Sequence, residues 1–522
     1  MATHKHPVST PLSPPASVAP ALTALWARAE TRIAAAAGIA ALTGLLVGLV
    51  MPRGPVTTAQ ALMLMVTGAV TGIAAGFVLR SRWAMLLAPV AHVAAFELIR
   101  LGETGPTVDG IHPGTTFGIL AFLVGRGVYG ILGLLPMILG VAWGAALARR
   151  LTATHERHGI GFVARRAIGA LTTVSLIALA VWIALPPSVA PVIDANGNEI
   201  PGSVSELTKV TLGGHDQWVE IRGASPDLPV LLYLSGGPGQ SDLAFSRAIL
   251  EPLTQDFLIV GWDQRGTGKS YPALDANTLT LDRAIADTIE LTEYLRDRFD
   301  EQKIYVLGES WGSTLGVLAA QQRPDLYYAL IGSGQMVSQR VTDQMIYDDL
   351  LAYADEHGDT GLAKTLRGFG PPPYGSILDY AYVLTNYEKI EGEYDPPQSY
   401  IDRGEQSGVG FWGMMGSEYA PIDKVNLFRG LLDMSSVMYP QLQEIDFRAD
   451  VPTLDVPIYL FDGKHELRGR RELANEWFAM LDAPDKQMVT YENAGHAVAF
   501  EHADDLHRIL LDVILPATYP AR

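Results

Sequence analysis

The fold of this chain is decided by a strand, a sharp turn and a helix in direct succession, Lys303-Ile304-Tyr305-Val306-Leu307-Gly308-Glu309-Ser310-Trp311-Gly312-Ser313. The apolar run before Gly308 predicts a buried strand, and the apolar run after Gly312 predicts a helix. Between them the residues read G-x-S-x-G, a pattern in which a tight turn lifts a serine hydroxyl away from a sheet. The flanking glycines avoid side-chain clashes in such a turn. Ser310 is therefore a candidate nucleophile.

The composition divides the chain into two parts. Residues 1–185 hold 13 Lys and Arg against 5 Asp and Glu, a net charge of +8. The remainder holds the other 25 of 38 basic residues and the other 51 of 56 acidic residues, a net charge of −26. An acidic second part argues against nucleic acid as a partner. The chain has no cysteine, which excludes disulfides, thiol catalysis and cysteine-ligated metals.

The first part carries apolar runs that are long enough, or nearly so, to cross about 30 Å of hydrocarbon. We expect five crossings, at residues 33–51, 61–79, 83–99, 128–148 and 167–185, with 117–124 as an entry or re-entrant piece. Arginines collect before the first crossing, between the second and third, and between the fourth and fifth. Because basic loops stay inside the cell, the amino terminus is expected inside and the acidic second part outside, with the lipid bilayer as a partner of the first part.

Strand and helix patterns alternate in the second part, which predicts an α/β class with a mostly parallel sheet covered on both faces. A hairpin is expected at 210–222, and further strands are expected at 230–234, 257–261, 304–307, 329–332, 458–461 and 488–491. Between 335 and 450 the pattern is helical, which predicts a cap domain inserted over the sheet. The complete division is a disordered terminus (1–30), a transmembrane region (31–185), a linker (186–205), the first part of the core (206–334), the cap (335–450) and the second part of the core (451–522).

A serine nucleophile needs a base, and His496 is the best candidate because it lies on a loop after the last predicted strand. His502 and His507 lie in or beside the following helix and are expected to be solvated. The base in turn needs a carboxylate that orients the imidazole. Glu466 and Asp462 both follow the strand at 458–461, and either would give the chain order Ser, Asp or Glu, His. Glu466 is favoured, because Asp462 has the pattern of a turn residue at a strand end.

The turn after the strand at 230–234 reads Ser235-Gly236-Gly237-Pro238-Gly239 and predicts an oxyanion hole built from backbone N–H groups. The N–H of Trp311, directly after the nucleophile, is the expected second donor. The stretch from Asp263 to Ser270 ends in Gly-Lys-Ser but lacks the first glycine of a phosphate-binding loop, so nucleotide binding is not predicted. No H-E-x-x-H or other metal-ligand spacing appears in the sequence, and no metal or other cofactor is predicted.

Three motifs in this order, Ser-Gly-Gly-Pro-Gly, Asp-Gln-Arg-Gly-Thr-Gly-Lys-Ser and Gly-Glu-Ser-Trp-Gly-Ser, resemble those of the proline iminopeptidase family of α/β-hydrolases over residues 195–515. The resemblance implies an α/β-hydrolase fold with a helical cap, with Ser310 as nucleophile, His496 as base, and Gly237 and Trp311 as oxyanion donors. The run Gly-Lys-His-Glu matches the family's Gly-Arg-x-Asp, which places the acid at Glu466. Two departures stand out, since the family usually has His in place of Ser235 and Asp in place of Glu466.

The expected function is that of a membrane-anchored serine hydrolase, an aminopeptidase that releases proline or another small residue from short peptides through an acyl-enzyme on Ser310. An esterase or lipase on the same scaffold is the alternative, and a membrane sensor with a ligand-binding hydrolase-like domain is a third possibility. An epoxide hydrolase is disfavoured, because its nucleophile position would hold Asp. A cap carboxylate that binds the substrate's ammonium would favour the aminopeptidase, and the available carboxylates are Glu388, Glu391, Glu393 and Glu418.

Overall fold

The computed structural model describes residues 28–102, 108, 110–152, 160–391, 394–403 and 416–520. The chain divides into two compact units. The first unit comprises the residues up to 50 together with 63–102 and 131–177, and the second comprises 51–62, 103–130 and everything from 178 onward. Of the 30 residues predicted to be disordered, 1–27 lie outside the described residues, and a helix begins at Ala29.

Apolar helices make up the amino-terminal third of the described chain. Four helical segments are long and apolar enough to cross a membrane (29–50, 58–79, 116–151 and 160–184), and 84–99 is shorter. The 116–151 segment contains two π-helical stretches, Leu123–Gly127 and Gly130–Leu134, so the predicted entry piece is one helical run with the predicted crossing. The α-helices are α1 (Ala29–Val50), α2 (Thr58–Leu79), α3 (Ala84–Ile99), α4 (Thr116–Phe122), α5 (Leu135–Thr152) and α6 (Ile160–Ala184).

Helices α1 and α3 pack closely through small residues. A methyl group at Gly44 of α1 would overlap the backbone of His92 on α3, and one at Gly48 would lie 3.3 Å from the carbonyl oxygen of Phe96. Small residues at a spacing of four let helix backbones approach each other in membranes. Because the contacting residue numbers rise together, α1 and α3 run in the same direction.

Helices α2 and α5 are paired in the same manner. A methyl group at Gly72 of α2 would overlap the carbonyl oxygen of Met137, and one at Gly76 would overlap that of Val141. The reverse also holds, because a methyl group at Gly144 of α5 would overlap the carbonyl oxygen of Ile73. These numbers also rise together, so α2 and α5 are parallel neighbours in direct backbone contact.

An eight-stranded sheet forms the core of the second unit, with the strand order β1-β2-β4-β3-β5-β6-β7-β8. The first hairpin and the β2–β4 pair are antiparallel, and all other neighbouring strands are parallel. This arrangement confirms the predicted α/β-hydrolase fold class. The strands are β1 (Val204–Leu212), β2 (His215–Gly223), β3 (Val230–Leu234), β4 (Leu258–Asp263), β5 (Ile304–Glu309), β6 (Tyr327–Ser333), β7 (Ile458–Gly463) and β8 (Lys486–Tyr491).

Both faces of the sheet are covered at its centre. Successive side chains of a strand point to opposite faces, and β3, β4 and β5 are buried along their whole length. On β5, Ile304 and Val306 belong to one apolar cluster, whereas Tyr305 and Leu307 belong to another on the opposite face. The helices that cover the sheet are α7 (Leu243–Leu250), α8 (Leu281–Phe299), α9 (Trp311–Gln322), α16 (Arg468–Met480), α17 (Val498–Glu501), α18 (Ala503–Ile509) and α19 (Leu515–Thr518).

The region between β6 and β7 is helical where the structure describes it. Its helices are α10 (Gln339–Glu356), α11 (Thr360–Phe369), α12 (Ile377–Glu391), α13 (Gln398–Arg403), α14 (Pro421–Leu442) and α15 (Phe447–Asp450). A separate apolar cluster that includes Ile346, Leu350 and Leu366 holds the first of these helices together. Helix α14 is the longest of them, and it lies against the loops of the candidate site described next.

Candidate active site

Ser310 sits at the sharp turn between β5 and α9, as the opening sequence pattern predicts. Its backbone has φ 53° and ψ −118°, a conformation that is strained for any residue other than glycine. A hydrogen bond stabilises this conformation, because the Ser310 N–H donates to the carbonyl oxygen of Ser333 at the end of β6 (2.9 Å). Such a turn presents a side chain at the carboxyl edge of the sheet, where the catalytic groups of this fold are placed.

The two glycines of the G-x-S-x-G pattern are required by close backbone approach. A Cβ atom at Gly308 would lie 2.6 Å from the backbone nitrogen of Ser313, and a Cβ atom at Gly312 would overlap the carbonyl oxygen of Leu234. Helix α9 can therefore start directly against the end of β3 only because both positions lack a side chain. The sequence motif is thus a packing requirement for the position of Ser310.

Two backbone N–H groups stand beside Ser310 where the sequence predicts an oxyanion hole. Gly237 and Trp311 line the same cavity as Ser310. Within the described part of the chain, neither their N–H groups nor the Ser310 hydroxyl has a hydrogen-bond partner. Trp311 is the first residue of α9, where an N–H has no carbonyl of its own helix to bind. Both groups are therefore available to a substrate oxygen.

Gln264 links the two loops that carry these N–H groups, a role that the sequence analysis missed. Its side-chain oxygen accepts a hydrogen bond from the indole N–H of Trp311 (3.0 Å), and its amide nitrogen donates to the carbonyl oxygen of Ser235 (3.3 Å). Gln264 is buried and belongs to the Asp-Gln-Arg-Gly motif, which the sequence analysis used only for its resemblance to a family. The motif therefore connects the turn at Ser310 with the turn at residues 235–239.

The structure brings His496 and Glu466 into direct contact. Glu466 Oε2 hydrogen-bonds His496 Nδ1, and the side chain of Glu466 is 3% exposed. Burial opposes the ionisation of Glu466, but the charge and hydrogen bond of His496 and the charge of Arg470 outweigh it, so the pKa of Glu466 lies below its usual value. Gly334, with φ 57°, makes room for the imidazole, because a Cβ atom there would lie 2.8 Å from His496 Nδ1.

Asp462, the alternative acid, has no recorded contact with His496 in the described chain. It ends β7, and burial together with the neighbouring Glu466 raises its pKa to about 6. The geometry therefore favours Glu466 as the partner of the imidazole. The neighbouring histidines, His502 and His507, are partly buried rather than solvated, and the prediction of solvation is wrong because α18 packs them against the domain.

A second carboxylate approaches the other side of the imidazole. Glu309 directly precedes Ser310, and its Oε1 lies 3.6 Å from His496 Nε2. Burial raises the pKa of Glu309, although the charges of His496 and Arg470 oppose the shift. The sequence pattern did not single out this residue, because the position between the glycine and the serine of G-x-S-x-G accepts any side chain.

A cavity lies beside Ser310. Its polar side chains include Gln339 and Arg470, and its apolar side chains include Met336, Leu442 and Ile445. The Arg470 guanidinium lies 3.6 Å from Glu466, with its side chain 10% exposed and its Nε without a hydrogen-bond partner. In the part of the chain that the structure describes, no carboxylate lines this cavity.

The cap carboxylates proposed for ammonium binding are not at the cavity where they are described. Glu388 is exposed on α12, and Glu418 is fully buried in an ion pair with Arg247. The side chain of Glu391 and the whole of Glu393 lie outside the described residues. Among the described residues, no group of three or more His, Asp or Glu side chains is arranged to hold a metal ion.

Comparison with known proteins shows which protein family this chain belongs to. The family model for the alpha/beta hydrolase fold matches residues 229–503, more than half of the chain. The chain therefore belongs to the α/β-hydrolase family, and it is a hydrolase of that fold.

Individual relatives confirm the resemblance found in the sequence. The chain is 29% identical over 301 residues to "Probable aminopeptidase YbaC" of Bacillus subtilis, which covers 57% of this chain and 93% of that protein. It is 31% identical over 179 residues to the proline iminopeptidase of Arabidopsis thaliana, 33% of this chain and 43% of that protein. A proline iminopeptidase-related protein from Thermus thermophilus has 20% identity, a TM-score of 0.42, and coverage of 61% of this chain and 100% of that one.

Proposed function

We propose that this protein is a serine aminopeptidase that releases proline or another small residue from the amino terminus of short peptides. The observation that carries the proposal is the strained turn that presents Ser310 beside two free backbone N–H groups, next to a histidine paired with a buried carboxylate. The partial similarity to proline iminopeptidases and the longer similarity to a probable aminopeptidase support the choice of substrate.

The reaction follows from the roles of these groups. Ser310 Oγ attacks the substrate carbonyl carbon while His496 Nε2 accepts the hydroxyl proton, and the Gly237 and Trp311 N–H groups stabilise the oxyanion. When the C–N bond breaks, the imidazolium returns the proton to the leaving amine, which leaves an acyl-enzyme. Water activated by His496 then hydrolyses the ester. His496 must turn from Glu309 towards Ser310, and such contacts are often loose before substrate binds.

An esterase that acts on small neutral acyl groups is the second candidate. The specific observation in its favour is the cavity lining, in which Arg470 is the charged side chain and no described carboxylate is present to bind a substrate ammonium. The two candidates share one nucleophile and one oxyanion hole, so substrate preference distinguishes them.

The first part of the chain is proposed to cross the bilayer five times and to place the hydrolase outside the cell. The parallel pairs α1–α3 and α2–α5 support this, because alternate crossings run in the same direction. Helix α3 has 16 residues, about 24 Å in length, and it must cross for these pairings to hold. The arginine distribution supports the orientation.

The contacts of two inter-helix loops agree with five crossings. The carbonyl oxygens of Pro55 and Val56, between α1 and α2, accept hydrogen bonds from cap residues Arg429 and Asn426. The N–H of Val108, between α3 and α4, donates to Asp433 of the cap. These contacts support the proposal that both loops lie on the same side as the hydrolase and that α3 crosses.

The test is a substrate screen with the purified full-length protein in detergent. Prolyl- and alanyl-arylamides are compared with short-chain p-nitrophenyl esters, and Ser310→Ala serves as the matched control. We expect the highest kcat/KM on prolyl or alanyl arylamides that have a free amino group, and we expect amino-terminal acetylation of the substrate to remove it. Preference for esters, with no cleavage of any aminoacyl arylamide, would establish the esterase instead.

A further inference from the structure

We propose that the loop between α1 and α2 and the helical stretch of α4 with Leu123–Gly127 belong to the catalytic unit. There they bind helix α14 of the cap and through it position the turn at residues 235–239, the oxyanion turn. This inference rests on the proposed activity of Ser310 and assigns a role to the membrane region beyond anchoring. Its central residue is Arg429, a positioning residue that does not touch the reacting atoms.

Arg429 is buried in the middle of α14 and binds backbone carbonyl groups from the amino-terminal part of the chain. The side chain is 1% exposed. Its Nε donates to the carbonyl oxygen of Val124 (3.0 Å), and one terminal nitrogen donates to that of Pro55 (2.6 Å). Gly54, with φ 114°, makes room for the guanidinium, because a Cβ atom there would overlap a terminal nitrogen of Arg429. The loop between α1 and α2 and the π-helical stretch Leu123–Gly127 therefore both contact this cation.

Further residues on the same face of α14 make the contact specific. Asn426 is fully buried, and its amide nitrogen donates to the carbonyl oxygen of Val56 (2.8 Å). Asp433 accepts the Val108 N–H (3.0 Å) on one oxygen and the Tyr271 hydroxyl (2.8 Å) on the other. An apolar cluster surrounds these polar contacts and joins Val108, Phe117, Leu120, Ala121 and Val124 to Leu378, Val425, Phe428 and Leu432. Buried polar groups that pair in this way hold one specific arrangement of the two surfaces.

Another part of α14 touches the oxyanion turn directly. A Cβ atom at Gly239 would lie 2.5 Å from the carbonyl oxygen of Gly430, the residue after Arg429. The hydroxyl of Ser435 donates to the carbonyl oxygen of Pro238, whose neighbour Gly237 is the proposed oxyanion donor. Backbone atoms this close cannot move independently, so a displacement of α14 also displaces the N–H group of Gly237.

Arg429 without its carbonyl partners would be a buried charge with lost hydrogen bonds, which is strongly unfavourable. We therefore expect α14 to keep its position only when the loop between α1 and α2 and the Leu123–Gly127 stretch are in place. Misplacement of a catalytic group by about 1 Å can lower a rate by about a hundredfold. We expect the loss to appear in kcat, because the oxyanion donor acts in the transition state.

The experiment uses the full-length protein in detergent, with p-nitrophenyl acetate hydrolysis and labelling of Ser310 by a fluorophosphonate as readouts. Arg429→Gln is compared with Arg367→Gln, a matched substitution of a cap arginine that forms an exposed pair with Asp355. We expect Arg429→Gln to lower kcat and the labelling rate at least tenfold with KM within about threefold, and Arg367→Gln to resemble the wild type. Arg429→Lys, which keeps a cation, should recover part of the loss.

A folded Arg429→Gln variant with wild-type kcat and labelling would overturn the inference. If Arg429→Gln does not elute as a single folded species, Asn426→Ala decides. It removes the bond to Val56 and the bond that Asn426 Oδ1 accepts from Arg429, but it leaves the bonds of Arg429 to Pro55 and Val124. We expect a kcat at least threefold below wild type, and an unchanged kcat in the folded variant would contradict the proposal. Failure of the proposed function is a different result, in which the wild type itself neither hydrolyses the ester nor reacts with the fluorophosphonate.

Discussion

Replacement of Glu466 by Gln should separate the charge of this side chain from its shape. Glutamine can still hydrogen-bond His496 Nδ1, but it cannot stabilise the imidazolium that forms when Ser310 loses its proton. The side chain of Glu466 is 3% exposed, so solvent screens the pair weakly. Two unit charges about 4 Å apart at an effective dielectric constant of about 20 interact by about 4 kcal/mol. A loss of that size in the transition state lowers the rate roughly a thousandfold.

The assay is kcat/KM of the full-length protein on the best substrate from the screen, with circular dichroism to check folding. Asp462→Asn is the matched control, because it removes a carboxylate four residues before Glu466 that has no hydrogen bond to His496 in the described chain. We expect the control to stay within about threefold of wild type. If Asp462→Asn lowers the rate a thousandfold and Glu466→Gln does not, the assignment of the acid is reversed and our reasoning from the hydrogen bond fails.

Three other predictions address the nucleophile, the topology and the membrane helices. Ser310→Ala should abolish hydrolysis and fluorophosphonate labelling with folding intact, and more than a few per cent of residual activity would exclude Ser310 as the nucleophile. Protease added to intact cells should remove the hydrolase domain, since loop arginines orient the chain with that domain outside; cleavage only after lysis would overturn this topology. Gly72→Leu should lower the melting temperature of the membrane region in detergent far more than Gly38→Leu, because Gly72 contacts Met137 and Gly38 has open space around it; equal effects would contradict the close packing of α2 and α5.

Local patterns in the sequence were sufficient for most of the hydrolase fold. Strand β3 has the predicted bounds, the other single strands differ by one or two residues at either end, and the hairpin begins six residues before its predicted start. The reason is physical: a parallel sheet buried on both faces needs continuous apolar runs, and each run is visible without knowledge of its neighbours. The turn at Ser310 was equally visible, because its glycines are required by contacts within a few residues and with the adjacent strand.

The choice between Glu466 and Asp462 as the partner of His496 depends on a contact that local sequence patterns do not contain. Asp462 is the last but one residue of β7, and Glu466 comes four residues later. The sequence favoured Glu466 only through a turn argument and a family resemblance. The hydrogen bond to His496 depends on how the loops after β7 and β8 meet, which is a contact between residues 30 apart. Glu418 is a similar case. The sequence made it a candidate for substrate binding, but in the structure it is fully buried in an ion pair with Arg247.

The sequence by itself determined the α/β class, the apolar helices of the first part, the nucleophile turn and the candidates for base and acid. These features depend on hydrophobic periodicity and on glycines at fixed short spacing. Only the tertiary structure shows that Gln264 joins the turn at Ser310 to the turn at residues 235–239, and that Arg429 binds backbone carbonyl groups of the amino-terminal part of the chain. Arg429 and Pro55 are 374 residues apart, and a backbone carbonyl leaves no trace in the side-chain sequence. Such a contact is set by how distant segments pack, which residue order alone does not reveal.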